Sequence, residues 1–122
     1  MNELFEFSEQ FRLIRFQVAN WGTFCGYHDI PISEKGHLFV GDSGSGKSTL
    51  LDAMSVLLVP RRYLNFNAAA REGEKSRGDR NFVSYVRGAW SNRLDEHGSP
   101  VIEFLRKDSV WSAIALTYRS DL

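Results

Sequence analysis

At 122 residues the chain has the length of one domain, enough for a core that buries roughly 65% of the unfolded surface. Its 15 basic and 15 acidic residues cancel, so bulk charge points to no partner. The single cysteine, Cys25, excludes an internal disulfide, and no apolar run reaches the ~18 residues of a membrane span.

The first ten residues are acidic, lack the apolar centre of a signal peptide and receive no function. Over residues 11–18, Phe11, Leu13, Phe16 and Val18 alternate with Arg12, Arg15 and Gln17, and Ile14 adds one more apolar position. That alternation predicts a strand with one wetter face. Residues 20–26 read as a turn, in which Trp21 is expected to pack as a core or edge aromatic, with packing against a ligand's aromatic base as the alternative, and Cys25 to be a half-buried structural thiol. Residues 27–32 read as an edge strand, because Pro31 cannot donate to a ladder. After a turn at 33–36, His37, Leu38, Phe39 and Val40 form a short apolar run expected to be a buried strand.

Residues 48–58 predict a helix whose apolar face carries Leu50, Leu51, Ala53, Met54, Leu57 and Leu58, with Asp52 and Ser55 opposite and Pro60 as its stop. Residues 61–80 read as a charged, irregular loop. Residues 81–90 read as a short amphipathic helix, and 94–99 as a polar turn. Residues 101–105 and 110–118 then read as an antiparallel hairpin turning at Lys107 and Asp108. Charge is uneven: residues 61–93 hold 8 basic and 3 acidic side chains, and the segments on either side are net acidic. Arg71, Lys75, Arg77, Arg80 and Arg87 are therefore candidates for a DNA-facing patch whose binding would weaken with salt, against the plainer reading of a solvated loop. His28, His37 and His97 lack metal-ligand spacing.

The chemistry-bearing stretch is Gly41-Asp42-Ser43-Gly44-Ser45-Gly46-Lys47-Ser48-Thr49. It matches the phosphate-binding P-loop pattern G-x-x-x-x-G-K-[ST] in full, between an expected strand and an expected helix. The glycines let backbone N–H groups turn inward around an anion, and the helix N-terminus adds partial positive charge. Lys47 is the expected contact for the β- and γ-phosphates, and the Ser48 hydroxyl the expected Mg2+ ligand of a bound ATP. Arg61 and Arg62 are further candidates for phosphate or for a DNA backbone. Hydrolysis also needs an apolar strand ending in Asp or Glu, the Walker B carboxylate. No such run occurs: Glu103 has too few apolar residues before it, and Asp108 and Asp121 lack the preceding run.

Two further stretches carry a resemblance. The turn Asn20-Trp21-Gly22-Thr23-Phe24, followed by Gly41 through Ala53, resembles the N-terminal half of an ABC-type head of the structural-maintenance-of-chromosomes (SMC) superfamily. Residues 59–69 and 84–90 are most similar to its MukB-like branch, which includes the ATPase subunits of Wadjet-type plasmid-defence systems. The resemblance implies an α/β P-loop NTPase fold, with residues 1–122 as the N-terminal lobe of a head that also has an antiparallel β portion. A coiled coil would follow, and a C-terminal half of the same head would bring the signature motif and Walker B. It further implies ATP and Mg2+ as ligands, a second head in a homodimer, accessory kleisin-like subunits, DNA as partner and no membrane, in a cytoplasmic, nucleoid-associated protein. Asn20 and Thr23 join the candidate nucleotide contacts on this ground. Gly22 departs from the pattern, since SMC heads usually carry Lys or Arg there, and no Q-loop glutamine follows the P-loop. A RecF-like repair ATPase or other P-loop protein is the alternative, as is a module that binds nucleotide or a partner head without catalysis.

Overall fold

The computed structural model describes residues 10–66, 81–90, 93–108 and 110–120. Its centre is strand β1 (Phe11–Trp21), which pairs antiparallel with β2 (Phe24–Pro31) on one side and with β5 (Ala113–Ser120) on the other. The register explains why β1 is central. Phe16 lies between Ile30 and Leu116, and Val18 lies between His28 and Ile114. Alternation puts these residues on one face, where Phe16 and Val18 are fully buried. The other face is wetter: Arg15 holds Asp29 through two hydrogen bonds of 2.8 and 2.7 Å, and Gln17 donates to the Tyr27 hydroxyl. The alternation of residues 11–18 is thus realised, and β1 runs three residues further than expected.

Helix α1 (Lys47–Leu58) covers the apolar face with Leu50 and Ala53. A single turn of 3-10 helix (Arg61–Tyr63) follows Pro60. Helix α2 (Phe82–Arg87) starts at a capping box, in which Asn81 Oδ1 accepts from the Ser84 N–H and Ser84 Oγ accepts from the Asn81 N–H. It ends at Gly88 in the left-handed conformation. Its buried Tyr85 stacks on Trp21, with centroids 4.6 Å apart and planes 19° from parallel. Phe66 meets Trp21, Tyr85 and Phe82 edge-on. Each such aromatic pair adds about 0.5–1.5 kcal/mol beyond the area it buries.

Four expectations are corrected. The hairpin over 101–118 does not form. Strand β4 (Pro100–Val101) pairs instead with β3 (Arg93–Leu94), Phe104 bridges to Ala89, and β5 goes to β1. Pairing with β1 places Ile114 and Leu116 against Phe16 and Val18, an apolar gain that a local hairpin lacks. The run 37–40 has no ladder among the described residues, and Leu38 and Val40 are 81% and 79% exposed; only Phe39 packs toward the core. On α1, Leu51, Leu57 and Leu58 are exposed while Asp52 is buried. Cys25 is exposed rather than half-buried. Trp21 is a core aromatic, 1% exposed. The candidate cations Arg71, Lys75, Arg77 and Arg80 lie outside the described residues.

Candidate nucleotide site

Residues 41–49 form a compact loop that opens directly into α1. The Ser45 N–H donates to Asp42 O at 3.1 Å, and the first helical bond runs from the Leu50 N–H to Gly46 O at 3.0 Å. No side chain caps the helix at Gly46, and its first turn carries no acidic residue. The leading N–H groups of α1 therefore point out of the helix without a side-chain acceptor, which is the donor set an anion requires. Lys47 folds back over the loop: Nζ donates to Gly41 O at 2.5 Å, to Asp42 O at 2.7 Å and to Ser45 Oγ at 3.2 Å. The ammonium thus sits at the loop mouth, held by neutral acceptors that a phosphate oxygen can outcompete.

Two glycines are set by their surroundings. Gly46 has φ 101°, and a Cβ there would lie 2.7 Å from Phe24 Cζ. At Gly41 a Cβ would meet Ser45 Oγ at 2.5 Å. A side chain would therefore crowd the loop at both its first and its last glycine, whereas Gly44 faces open space. This geometry fits the phosphates of a nucleotide: the uncapped start of α1 and the Lys47 ammonium belong to one loop. Ser48, the expected Mg2+ ligand, is exposed in the first turn of α1, and its hydroxyl would hold the ion beside the phosphates. Among the described residues no group of three or more His, Cys, Asp or Glu stands ready for a metal. Asp42, Ser43, Gly44 and Ser45 are exposed, and Thr49 is half-buried.

One wall of the site is the β1–β2 turn. Trp21 Nε1 donates to Thr49 O at 2.9 Å. Gly22, at φ 57°, lies so close that a Cβ would come within 2.6 Å of Thr49 Cγ2. This accounts for a glycine at position 22: a side chain there would press on α1. Asn20 Oδ1 accepts from the Gly26 N–H at 2.9 Å and ties the turn together, and Thr23 is exposed at its tip. Phe24, which the sequence offered only as part of the resembling turn and not as a site residue, packs beside Gly46 and completes this wall.

Behind this wall, the Tyr85 hydroxyl donates a short hydrogen bond to Asp52 Oδ2 in the interior. A carboxylate among leucines reads as a polar face on a helical wheel, so its burial against a tyrosine 33 positions away was not visible. Arg61 lies over the Phe82 ring at 5.6 Å and Arg62 over Tyr63 at 4.7 Å, and both are exposed. Arg87, a candidate for the DNA-facing patch, stacks over Phe104 at 4.0 Å. Among the described residues no helix is long and apolar enough to cross a membrane.

No curated protein matches the chain. A family model does: the P-loop containing region of AAA domain matches residues 13–73, half of the sequence, from β1 through the P-loop and α1 into the segment beyond. The turn, loop and helix that make the cradle all fall inside that span, and the chain belongs to this P-loop family of AAA-type domains.

Proposed function

We propose that the chain binds Mg-ATP through residues 41–49, as the phosphate-holding half of an ATPase head similar to those of SMC-like DNA-organising proteins. The observation that carries nucleotide binding is the uncapped start of α1 with Lys47 folded over its mouth. The half-site reading is supported by two features. The sequence lacks the apolar run ending in an acid that supplies the Walker B carboxylate. The exposed Leu38 and Val40 just before the P-loop, and Leu51, Leu57 and Leu58 along α1, leave apolar area that a further segment would cover. In the complete head, ATP would be closed between this loop and the signature motif of a second head, and hydrolysis would release that clamp during DNA loading or loop extrusion, including plasmid defence.

Calorimetry with Mg-ATP tests the first step. The parent chain binds without measurable turnover. Lys47→Ala binds about 10- to 100-fold more weakly, the range of one or two charge-assisted hydrogen bonds. Equal affinity in the variant would show that the loop does not hold phosphate. Rapid hydrolysis by the parent would overturn the half-site reading.

A further inference from the structure

Arg106 lies between β4 and β5, outside every segment the motif singles out. Its backbone N–H donates to Arg87 O at 3.0 Å. Its Nε donates to Val86 O at 2.7 Å, and its Nη2 to Tyr85 O at 2.9 Å and to Gly22 O at 2.8 Å. Its Nη1 lies 3.8 Å from Cys25 Sγ. No carboxylate of the described residues pairs with it. A half-buried guanidinium that bonds almost wholly to carbonyls is acting as a rigid fork, not as one half of an ion pair.

The fork joins two elements. Tyr85 O and Val86 O belong to the end of α2, and Gly22 O belongs to the β1–β2 turn. The Gly22 N–H adds a bond to Tyr85 O at 2.8 Å. Gly88 completes the joint, since a Cβ there would fall 2.8 Å from Gly22 O and 2.9 Å from Arg106 Nη2. The opposite side of the same turn is the wall of the P-loop: Trp21 on Thr49 O, Gly22 against the Thr49 methyl, and Phe24 on Gly46.

We propose that Arg106 is a positioning residue for the nucleotide site. It holds the β1–β2 turn against Gly46 and Thr49 and thereby sets the shape of the loop without touching the nucleotide. The proposal rests on the reading of residues 41–49 as a nucleotide site, and its test separates the two.

The full chain carries Trp90→Phe and Trp111→Phe, so that Trp21 is its sole tryptophan. Mg-ATP affinity is measured by calorimetry and by Trp21 emission in this background, in Arg106→Gln, in Arg106→Lys, and in Leu116→Ala as a core variant remote from the turn. Thermal midpoints are recorded for all four. Both Arg106 variants are expected to bind about tenfold more weakly, the size of one charge-assisted hydrogen bond, and the Trp21 response to nucleotide shrinks. Leu116→Ala loses stability but keeps the parent's affinity. Arg106 variants that bind like the parent would overturn the proposal. So would affinity that simply follows the thermal midpoint across all variants, because that marks a purely structural role. Should Arg106→Gln not fold, Arg106→Lys, which keeps a donor but not the fork, carries the same comparison. If the background chain binds no Mg-ATP, the nucleotide reading itself fails, and the Arg106 proposal falls with it.

Discussion

The two flanks of the P-loop differ in how they are held. On the β1–β2 side, Trp21 is buried and stacked on Tyr85, Gly22 leaves no room for a Cβ, and Phe24 lies on the loop itself. On the side of residues 37–40, Leu38 and Val40 stand in solvent and no neighbouring strand receives them among the described residues. The same loop is thus fixed by aromatic packing on one flank and by little beyond its own hydrogen bonds and Phe39 on the other. A phosphate cradle needs only one rigid wall and a helix start to be preorganised, whereas closing the site over a nucleotide needs the second wall as well.

Substitutions can break or sharpen that contrast. The largest effect is expected from Trp21→Ala, which removes the centre of the packed flank and should cost about 3–5 kcal/mol in denaturant unfolding. A loss below about 1 kcal/mol would mean the aromatic cluster does not organise the flank. Tyr85→Phe keeps the ring stack but deletes the donor to Asp52. It should cost about 1.5–3 kcal/mol, the range for a hydrogen bond to a charged group. Because the ring remains, a cost as large as that of Trp21→Ala would shift the weight from stacking to the buried carboxylate. Gly46→Ala forces a left-handed residue with a Cβ against Phe24. About 1–2 kcal/mol is expected from the backbone alone, together with weaker Mg-ATP binding. Pairing it with Phe24→Ala should recover part of the clash but none of the backbone cost. The smallest effect belongs to the open flank. Leu38→Ser with Val40→Ser should change stability by no more than about 0.5 kcal/mol. A loss near that of Trp21→Ala would show that the two flanks are equally packed.

The packed flank was partly legible in the residues and the open one was misread. The P-loop could be read because its chemistry prescribes residue types at fixed spacing, and α1 begins where that spacing places it. Strand β1 was visible through its alternation, and the edge position of β2 through Pro31. Residues 37–40 were misjudged because apolar character signals a burial partner without saying where that partner lies. The partner of β5 was misjudged for a related reason: nearness in sequence favoured a hairpin, while the apolar match of Ile114 and Leu116 to β1 decided the pairing. Arg106 gave no sign at all, since its acceptors are backbone carbonyls, which no residue type reveals.

The long reach between β1 and β5 also bears on the order in which the molecule acquires its shape. Ala19 meets Ala113 and Phe11 meets Ser120, so the central strand waits for nearly the whole intervening chain before its second edge is filled. Contacts this distant in sequence slow the search for the native state, because loop closure comes before the reward of pairing. The β1–β2 hairpin closes through a tight turn and can form early. On a ribosome, the phosphate loop would therefore emerge beside a two-stranded ribbon whose other edge stays unpaired until residues 113–120 appear. Through that interval the nascent chain is open to strand exchange with its neighbours and to chaperones that shield such edges.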